Sequence, residues 1–291
     1  MTGERVSLRG MTLDDVSEGL RLTRAAGWNQ AEADWRFLLE RNPGRFVLAV
    51  EDGRVVASGG AAVYGTDLAW VCMILVDPGA RGRGVGSMVV RGVLDRLSDV
   101  AAIGLDATPM GRGVYARLGF VETSRLSRVE AAGAPPAAPW PVVAGIDMEG
   151  IDIVDVIDGA TMADVLAMDH EVFGADRGDL LRWAAQQAPA LCAREHGRVA
   201  GYCFGRRGAI SRQIGPVVAR DVATARALVR AARAGAADRV VIDAPVDRPE
   251  WRAALEADGF REQRPLVRMY RSAPPPGRPE HQLAIFGPEF G

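Results

Sequence analysis

A glycine-rich stretch at residues 76–86, VDPGARGRGVG, constrains the fold of this chain more than any other segment. It follows an apolar run at residues 69–76, which predicts a buried strand that ends at Asp77-Pro78. Apolar residues then recur at helical spacing from Val85 to Leu97. When a strand is followed by a glycine-rich turn and a helix, the backbone N–H groups of the turn can approach an anion. The dipole at the helix N-terminus favours the same negative charge. The stretch therefore predicts a phosphate-binding turn.

Three kinds of phosphate-binding turn are compatible with glycines at such a position. A P-loop needs a lysine after its last glycine, and the chain contains no lysine. A dinucleotide fold places its glycines after the first strand, whereas about four predicted strands precede this turn. The remaining pattern is Arg-Gly-x-Gly-x-Gly at residues 81–86. Taken alone, it could also be a glycine-rich turn with solvated arginines.

This pattern resembles the pyrophosphate loop of the GNAT superfamily of CoA-dependent N-acyltransferases, whose motif is Gln/Arg-x-x-Gly-x-Gly/Ala. Arg81, Gly84 and Gly86 fill its fixed positions. A second GNAT signature, Tyr-x-x-x-Gly-Phe, occurs at residues 115–120. Alone, Tyr115 would more simply be a core residue of an amphipathic helix, but its distance from the glycine turn favours the family signature.

The resemblance implies acetyl-CoA as co-substrate, no metal, and direct transfer of the acetyl group to a primary amine. Tyr115 would then protonate the departing thiolate, and backbone N–H groups near Leu75 would polarise the thioester carbonyl. The residues expected to bind acetyl-CoA are Leu75, Val76, Arg81, Gly82, Arg83, Gly84, Val85 and Gly86. A non-catalytic module that senses acyl-CoA or a metabolite is the alternative, although pure binding does not require a thiolate acid.

The general base and the acceptor site are less well marked. Residues 69–76 contain no glutamate or histidine, so Asp106 is the first candidate base. Asp106 could instead cap the turn before Pro109, and a chain of water molecules could carry the proton. Trp28, Asn29 and Gln30 lie where GNAT proteins build the substrate wall, although Asn29 also suits a plain turn.

The order of predicted elements repeats after a proline- and alanine-rich linker at residues 131–141. Asp243 occupies the position in the second copy that Asp106 has in the first. Gly259-Phe260 likewise corresponds to Gly119-Phe120, at a similar distance after the equivalent strand. The second copy has no glycine at residues 220–225 and carries Leu255 in the place of Tyr115. We therefore expect a catalytic domain at residues 1–134 and a degenerate one, structural or shaping the acceptor site, at residues 135–291.

The whole chain resembles a bacterial group of tandem GNAT proteins with an active first domain and a degenerate second one. The segments GWNQ, LDAT, FGADR, IGP and GPEFG carry this resemblance. The expected fold class is α/β (α+β), with two tandem GNAT-like domains, each a mixed and mostly antiparallel sheet flanked by helices. Such a length also suits two domains.

Charge is locally uneven, although the net charge of −2 gives no general reason to expect nucleic-acid binding. Residues 147–179 contain ten acidic residues and a single arginine, Arg177. This run could be a solvated helix face, or an acidic wall that includes Asp176 and attracts a cationic amine. We expect a small-molecule amine as acceptor, with a protein amino group the less favoured choice, and a monomer or homodimer.

Three scattered cysteines and three histidines predict neither a disulfide framework nor a metal cluster. The sequence has no apolar leader at its start and no run of 18 apolar residues, so we expect a cytoplasmic protein without membrane contact.

Overall fold

The computed structural model describes residues 6–133, 151–155, 159–188, 190–234 and 236–291. The chain forms two compact units. Unit 1 contains Met1–Thr123, Arg268–Pro274 and Glu289–Gly291, and unit 2 contains Ser124–Val267 and Pro275–Pro288. Each unit thus takes chain from both sides of residue 134. The domain boundary expected between residues 134 and 135, and most of the predicted linker, lie outside the described residues.

Unit 1 is built on a mixed sheet with five of its strands in chain order. They are β1 (Ser7–Gly10), β2 (Val47–Glu51), β3 (Arg54–Tyr64), β4 (Leu68–Val76) and β5 (Ala102–Ala107). Neighbours pair antiparallel from β1 to β4, and β4 pairs parallel with β5. Residues 268–270, at the end of strand β12 (Arg261–Tyr270), continue this sheet beyond β5.

Four helices flank the sheet of unit 1: α1 (Val16–Ala25), α2 (Glu32–Arg41), α3 (Val85–Leu94) and α4 (Pro109–Arg117). The first begins after a turn in which the backbone N–H and the hydroxyl of Thr12 both donate to the Asp15 carboxylate. A Cβ on Gly59 would lie 2.5 Å from side-chain atoms of Ile74 and Val89. Glycine at this position of β3 therefore lets α3 pack closely on the sheet.

Unit 2 repeats this plan. Its strand order is β12-β6-β11-β10-β9-β8-β7, and β13 pairs with β10. Strands β10 and β11 pair parallel. The strands are β6 (Val121–Ala131), β7 (Ile151–Asp155), β8 (Leu191–Glu195), β9 (Arg198–Arg207), β10 (Arg212–Ala219), β11 (Val240–Pro245) and β13 (Gln282–Ala284). The helices are α5 (Gly159–Phe173), α6 (Gly178–Gln187), α7 (Val222–Arg233) and α8 (Pro249–Ala257).

The last strand of each sequence repeat contributes to the unit of the other repeat. Residues 124–131 of β6 belong to unit 2, where β6 pairs antiparallel with β11. Residues 268–270 of β12 belong to unit 1. The mixed, mainly antiparallel sheets flanked by helices confirm the expected fold class, whereas the exchange of strands was not predicted.

Candidate active site

The glycine-rich turn of unit 1 connects β4 to α3. Asp77 ends the strand, and its Oδ1 accepts a hydrogen bond of 3.2 Å from the Gly79 N–H. Arg21 and Arg54 also donate to Oδ2 of Asp77, at 3.0 and 3.2 Å. The strand end is therefore held by a carboxylate that contacts both the turn backbone and two guanidinium groups.

Two glycines give the turn its shape. Gly82 and Gly84 have φ values of 74° and 83°, in the left-handed region that other residues rarely adopt. Gly84 is the N-cap of α3 and offers no side-chain cap to the helix. The first intrahelical bond runs from Met88 N–H to Gly84 O, so the amides before Met88 have no acceptor within the helix. Amides left free at a helix N-terminus can bind an anion, which is the role that the sequence predicts for this turn.

The space next to the turn is open. A Cβ built on Gly82 or Gly84 would meet no atom within 4 Å. Arg81 and Arg83 are exposed on either side of Gly82. The Nε of Arg81 donates to Val76 O at 3.1 Å, and the guanidinium of Arg83 forms an ion pair with Glu51. The residues expected to bind CoA thus lie in this open turn or next to it, with Val85 and Gly86 in the first turn of α3.

The strand before the turn separates from its parallel neighbour. The register between β4 and β5 runs from Leu68–Ala102 to Trp70–Gly104 and stops there. On its other side β4 carries a bulge, at which Met73 has a φ of 54° and its carbonyl accepts a 3.0 Å bond from Ser58 Oγ. Beyond the bulge, Leu75 and Val76 pair only with β3 among the described strands. Their edge toward β5 is open, as the resemblance implies for the thioester site.

Tyr115 lies on α4, which begins at Pro109 after a cap by Thr108. Its ring is half-buried and meets Phe120 edge to face, with 5.9 Å between centroids. A Cβ on Gly111 would approach the Tyr115 ring to 2.8 Å, so glycine at 111 makes room for it. Burial raises the pKa of the Tyr115 phenol above its ordinary value, and the Cys72 thiol adds to the shift. The hydroxyl therefore remains a proton donor at neutral pH.

Asp106 has a different role from the one expected of a base. Both of its carboxylate oxygens accept hydrogen bonds from Arg268, at 3.0 Å from Nε and 2.9 Å from Nη2. The Asp106 side chain is fully buried and that of Arg268 is 11% exposed, with its guanidinium 4.5 Å from the Trp70 ring. A carboxylate held bidentately by arginine is a poor proton acceptor. We therefore assign Asp106 to the attachment of residues 268–270 to β5.

The second repeat contains the matching ion pair. Asp243 of β11 is buried, and Arg128 of β6 donates to it at 2.8 and 2.7 Å. Burial alone would raise the pKa of the Asp243 carboxyl, but Arg128 and Gln213 outweigh it and hold the pKa below its usual range. The two equivalent aspartates are thus structural. Each binds an arginine on the last strand of the other repeat: Asp106 binds Arg268 of β12, and Asp243 binds Arg128 of β6.

The expected acceptor residues follow α1. Trp28 is half-buried, whereas Asn29 and Gln30 are each 5% exposed. The Nε2 of Gln30 donates to Oε2 of Glu289 at 2.9 Å. Glu289 belongs to unit 1 through the segment Glu289–Gly291 and was missed in the sequence analysis. The available signal was a carboxylate inside the otherwise uncharged ending IFGPEFG.

Asp176 lies in unit 2, and its Oδ1 accepts a 2.8 Å bond from the Gly178 N–H at the start of α6. Four other members of the acidic run are paired with arginine: Asp164 with Arg194, Asp169 with Arg177, Glu171 with Arg278, and Asp179 with Arg182. These pairs offset part of the local negative charge, and they lie within unit 2. Asp147, Glu149 and Asp158 of the run lie outside the described residues.

The second repeat lacks the features of the glycine turn. Helix α7 begins after Asp221, whose Oδ1 accepts a 2.8 Å bond from the Thr224 N–H. A carboxylate thus occupies the helix N-terminus where α3 has an open glycine. Leu255, at the position of Tyr115, is buried in the core of unit 2. The second repeat therefore has neither an open glycine N-cap at this helix nor a phenol at the position of Tyr115.

Within the residues described by the structure, no helix has the length and apolar character that crossing a membrane requires. The same residues contain no group of three or more His, Cys, Asp and Glu side chains arranged to hold a metal ion.

Comparison with known proteins identifies the family of both sequence repeats. Residues 13–120 match the model of the acetyltransferase (GNAT) family, and residues 165–287 match that of an acetyltransferase (GNAT) domain. The holothin acyltransferase of Pseudoalteromonas sp. is 27% identical over 92% of this chain and 88% of its own length. The uncharacterised N-acetyltransferase YitH of Bacillus subtilis is 23% identical over 90% of both chains.

Solved structures show the same fold. A putative acetyltransferase from Pyrococcus horikoshii superposes with a TM-score of 0.81 at 23% identity, covering 100% of this chain and 97% of its own. A tandem GNAT protein from the clavulanic acid biosynthesis pathway gives a TM-score of 0.62 at 18% identity, covering 91% and 98%. With both halves matched by family models, the chain belongs to the GNAT acetyltransferases and carries two GNAT domains in tandem.

Proposed function

We infer that the chain is an N-acetyltransferase that moves the acetyl group of acetyl-CoA directly to a primary amine. The observation that carries this function is the presence, in one unit, of an open glycine turn at a helix N-terminus and a protonated Tyr115. The similarity to a protein named as a holothin acyltransferase supports acyl transfer as the reaction class.

The residues present fit acetyl-CoA. The amides of the turn and of the first turn of α3 can bind a pyrophosphate, with Arg81 and Arg83 adding positive charge. The open edge of β4 at Leu75 and Val76 can take the pantetheine chain by backbone hydrogen bonds. Bound acetyl-CoA would supply the thioester carbonyl that the amine attacks.

Transfer forms one N–C bond and breaks one C–S bond. The amine nitrogen therefore loses a proton, and the departing sulfur gains one. The Tyr115 phenol can supply the second proton, because burial keeps it in the neutral form. Unit 2 has neither the glycine turn nor the tyrosine, so we assign it a structural role, which its exchange of strands with unit 1 supports.

Release of free thiol from acetyl-CoA in the presence of a panel of primary amines tests this function. We expect thiol release that depends on both the amine and the enzyme, with the acetylated amine detected by mass spectrometry. Binding of acetyl-CoA without release of thiol for any amine would contradict catalysis and favour a module that senses acyl-CoA.

A further inference from the structure

The segment Glu289–Gly291 carries a buried carboxylate in unit 1. Glu289 is 2% exposed and the neighbouring Phe290 is fully buried. The hydroxyl of Tyr64 donates to Phe290 O at 2.7 Å, and the ring of Phe290 meets that of Phe37 edge to face with 6.2 Å between centroids. Contacts with β3 and α2 therefore fix the position of Glu289.

Gln30 leaves an acceptor beside this carboxylate. Its Nε2 donates to Glu289 Oε2 at 2.9 Å, while its Oε1 is buried and has no hydrogen-bond partner within the described residues. A buried acceptor without a hydrogen-bond partner destabilises the folded protein. A buried carboxylate next to an unpaired amide oxygen suits a ligand that brings positive charge and several N–H donors. A primary ammonium group has both properties.

The segment that carries Glu289 contacts β3, the strand that pairs with the bulged strand β4. Tyr64, which holds Phe290, and Gly60, which faces Cys72 of β4, are on the same strand β3. The pKa of the buried Cys72 thiol is raised by burial and further by the negative charge of Glu289. Glu289 belongs to the same unit as Tyr115, the residue that would protonate the departing sulfur.

We propose that Glu289 and Gln30 form the subsite for the acceptor ammonium group, and that Glu289 is the base that accepts its proton. This inference rests on the proposed N-acetyltransferase function for its catalytic part. The ammonium donates to the Glu289 carboxylate and to Gln30 Oε1 and passes one proton to the carboxylate, which leaves a neutral amine whose lone pair attacks the thioester carbonyl. As the C–S bond breaks, Tyr115 protonates the sulfur, and the nitrogen releases its second proton, which restores the Tyr115 phenol through solvent. The Glu289 carboxylic acid returns the first proton to solvent.

The first test measures binding with a simple cation. We expect n-butylammonium chloride at millimolar concentration, with CoA present, to raise the Tm of the full chain more than sodium chloride or n-butanol does. Glu289→Gln, which keeps the shape of the side chain and removes its charge, should lose this increase. Glu280→Gln, which changes an exposed glutamate of the same sequence region, should keep it. An equal increase in wild type and Glu289→Gln would overturn the proposal.

The second test uses an amine that the enzyme acetylates. Glu289→Gln should lower kcat/KM for this amine by about 10²-fold or more, while the Kd for acetyl-CoA stays within about twofold. Gln30→Leu should mainly raise the KM for the amine. If Glu289→Gln does not fold, Glu289→Asp keeps the charge but withdraws it by one methylene, and its kcat/KM should fall at least about tenfold. Unchanged kinetics in the folded Glu289 variant would refute its role as base.

Different results would exclude acetyl transfer and the ammonium subsite. If no amine releases thiol from acetyl-CoA but butylammonium still binds through Glu289, the proposed acetyl transfer fails and the ammonium subsite stands. If acetyl transfer occurs and is insensitive to Glu289, the transferase stands and the subsite fails.

Discussion

At the scale of single residues, the surroundings of Tyr115 decide what it can contribute. The ring packs between Phe120 and the space that Gly111 leaves, and burial keeps the phenol protonated. A tyrosine whose pKa is raised in this way donates a proton but does not act as a base near neutral pH. Asp106 differs because Arg268 occupies both of its oxygens.

Replacing Tyr115 by phenylalanine removes only the hydroxyl and keeps the ring contacts. We expect Tyr115→Phe to lower kcat by about 10²-fold, because general acid catalysis contributes on this order, with little change in the Kd for acetyl-CoA. Steady-state kinetics and calorimetric titration measure the two quantities. Tyr270→Phe, which removes another hydroxyl from unit 1, is the control and should have nearly wild-type kcat. A loss of affinity at unchanged kcat would make Tyr115 a binding residue only.

At the scale of elements, the two equivalent helices α3 and α7 show how one fold can hold or lose an anion site. Helix α3 begins with an open glycine, whereas α7 begins with the carboxylate of Asp221 bonded to its own backbone. Two arginines of α7, Arg226 and Arg230, form ion pairs with Asp258 at the end of α8. The second repeat has thus kept contacts that stabilise helix packing.

The Asp258 contacts predict a dependence of stability on pH. The hydrogen bond from Arg226 lowers the pKa of Asp258 to about 2, against the opposing effect of burial. Because the folded pKa is below the unfolded one, the stabilisation is complete above about pH 4 and is lost as the pH falls toward 2. Asp258→Asn should therefore lower the free energy of unfolding by about 1–2 kcal/mol at pH 7 and by little near pH 2.

Urea unfolding at pH 7, 4 and 2.5 measures this difference between Asp258→Asn and wild type. Asp247→Asn, which removes an exposed carboxylate just before α8, should unfold like wild type at all three pH values. A deficit for Asp258→Asn that is the same at every pH would show that packing, not the ion pairs, accounts for the effect.

At the scale of the whole molecule, much of the fold followed from local pattern. The strand, glycine turn and helix at residues 68–94 and the repeated order of elements were predicted, because spacing and turn residues are local signals. The exchange of β6 and β12 could not be predicted, since an alternating strand has the same pattern whichever sheet it joins. The position of Glu289 beside Gln30 was equally hidden, because their contact spans nearly the whole sequence.

The number of acetyl-CoA sites per chain tests whether the first repeat alone binds the co-substrate. Gly84 and Gly44 are both exposed, have φ values of 83° and 76°, and have open space at Cβ, so a glutamate imposes similar backbone strain at either position. Only at Gly84 would its charge and side chain also obstruct the anion site.

Calorimetric titration of the full chain with acetyl-CoA should give one site, which Gly84→Glu abolishes and Gly44→Glu preserves. Two sites in the wild type, or a single site that persists in Gly84→Glu, would show that acetyl-CoA binds outside the glycine turn of the first repeat.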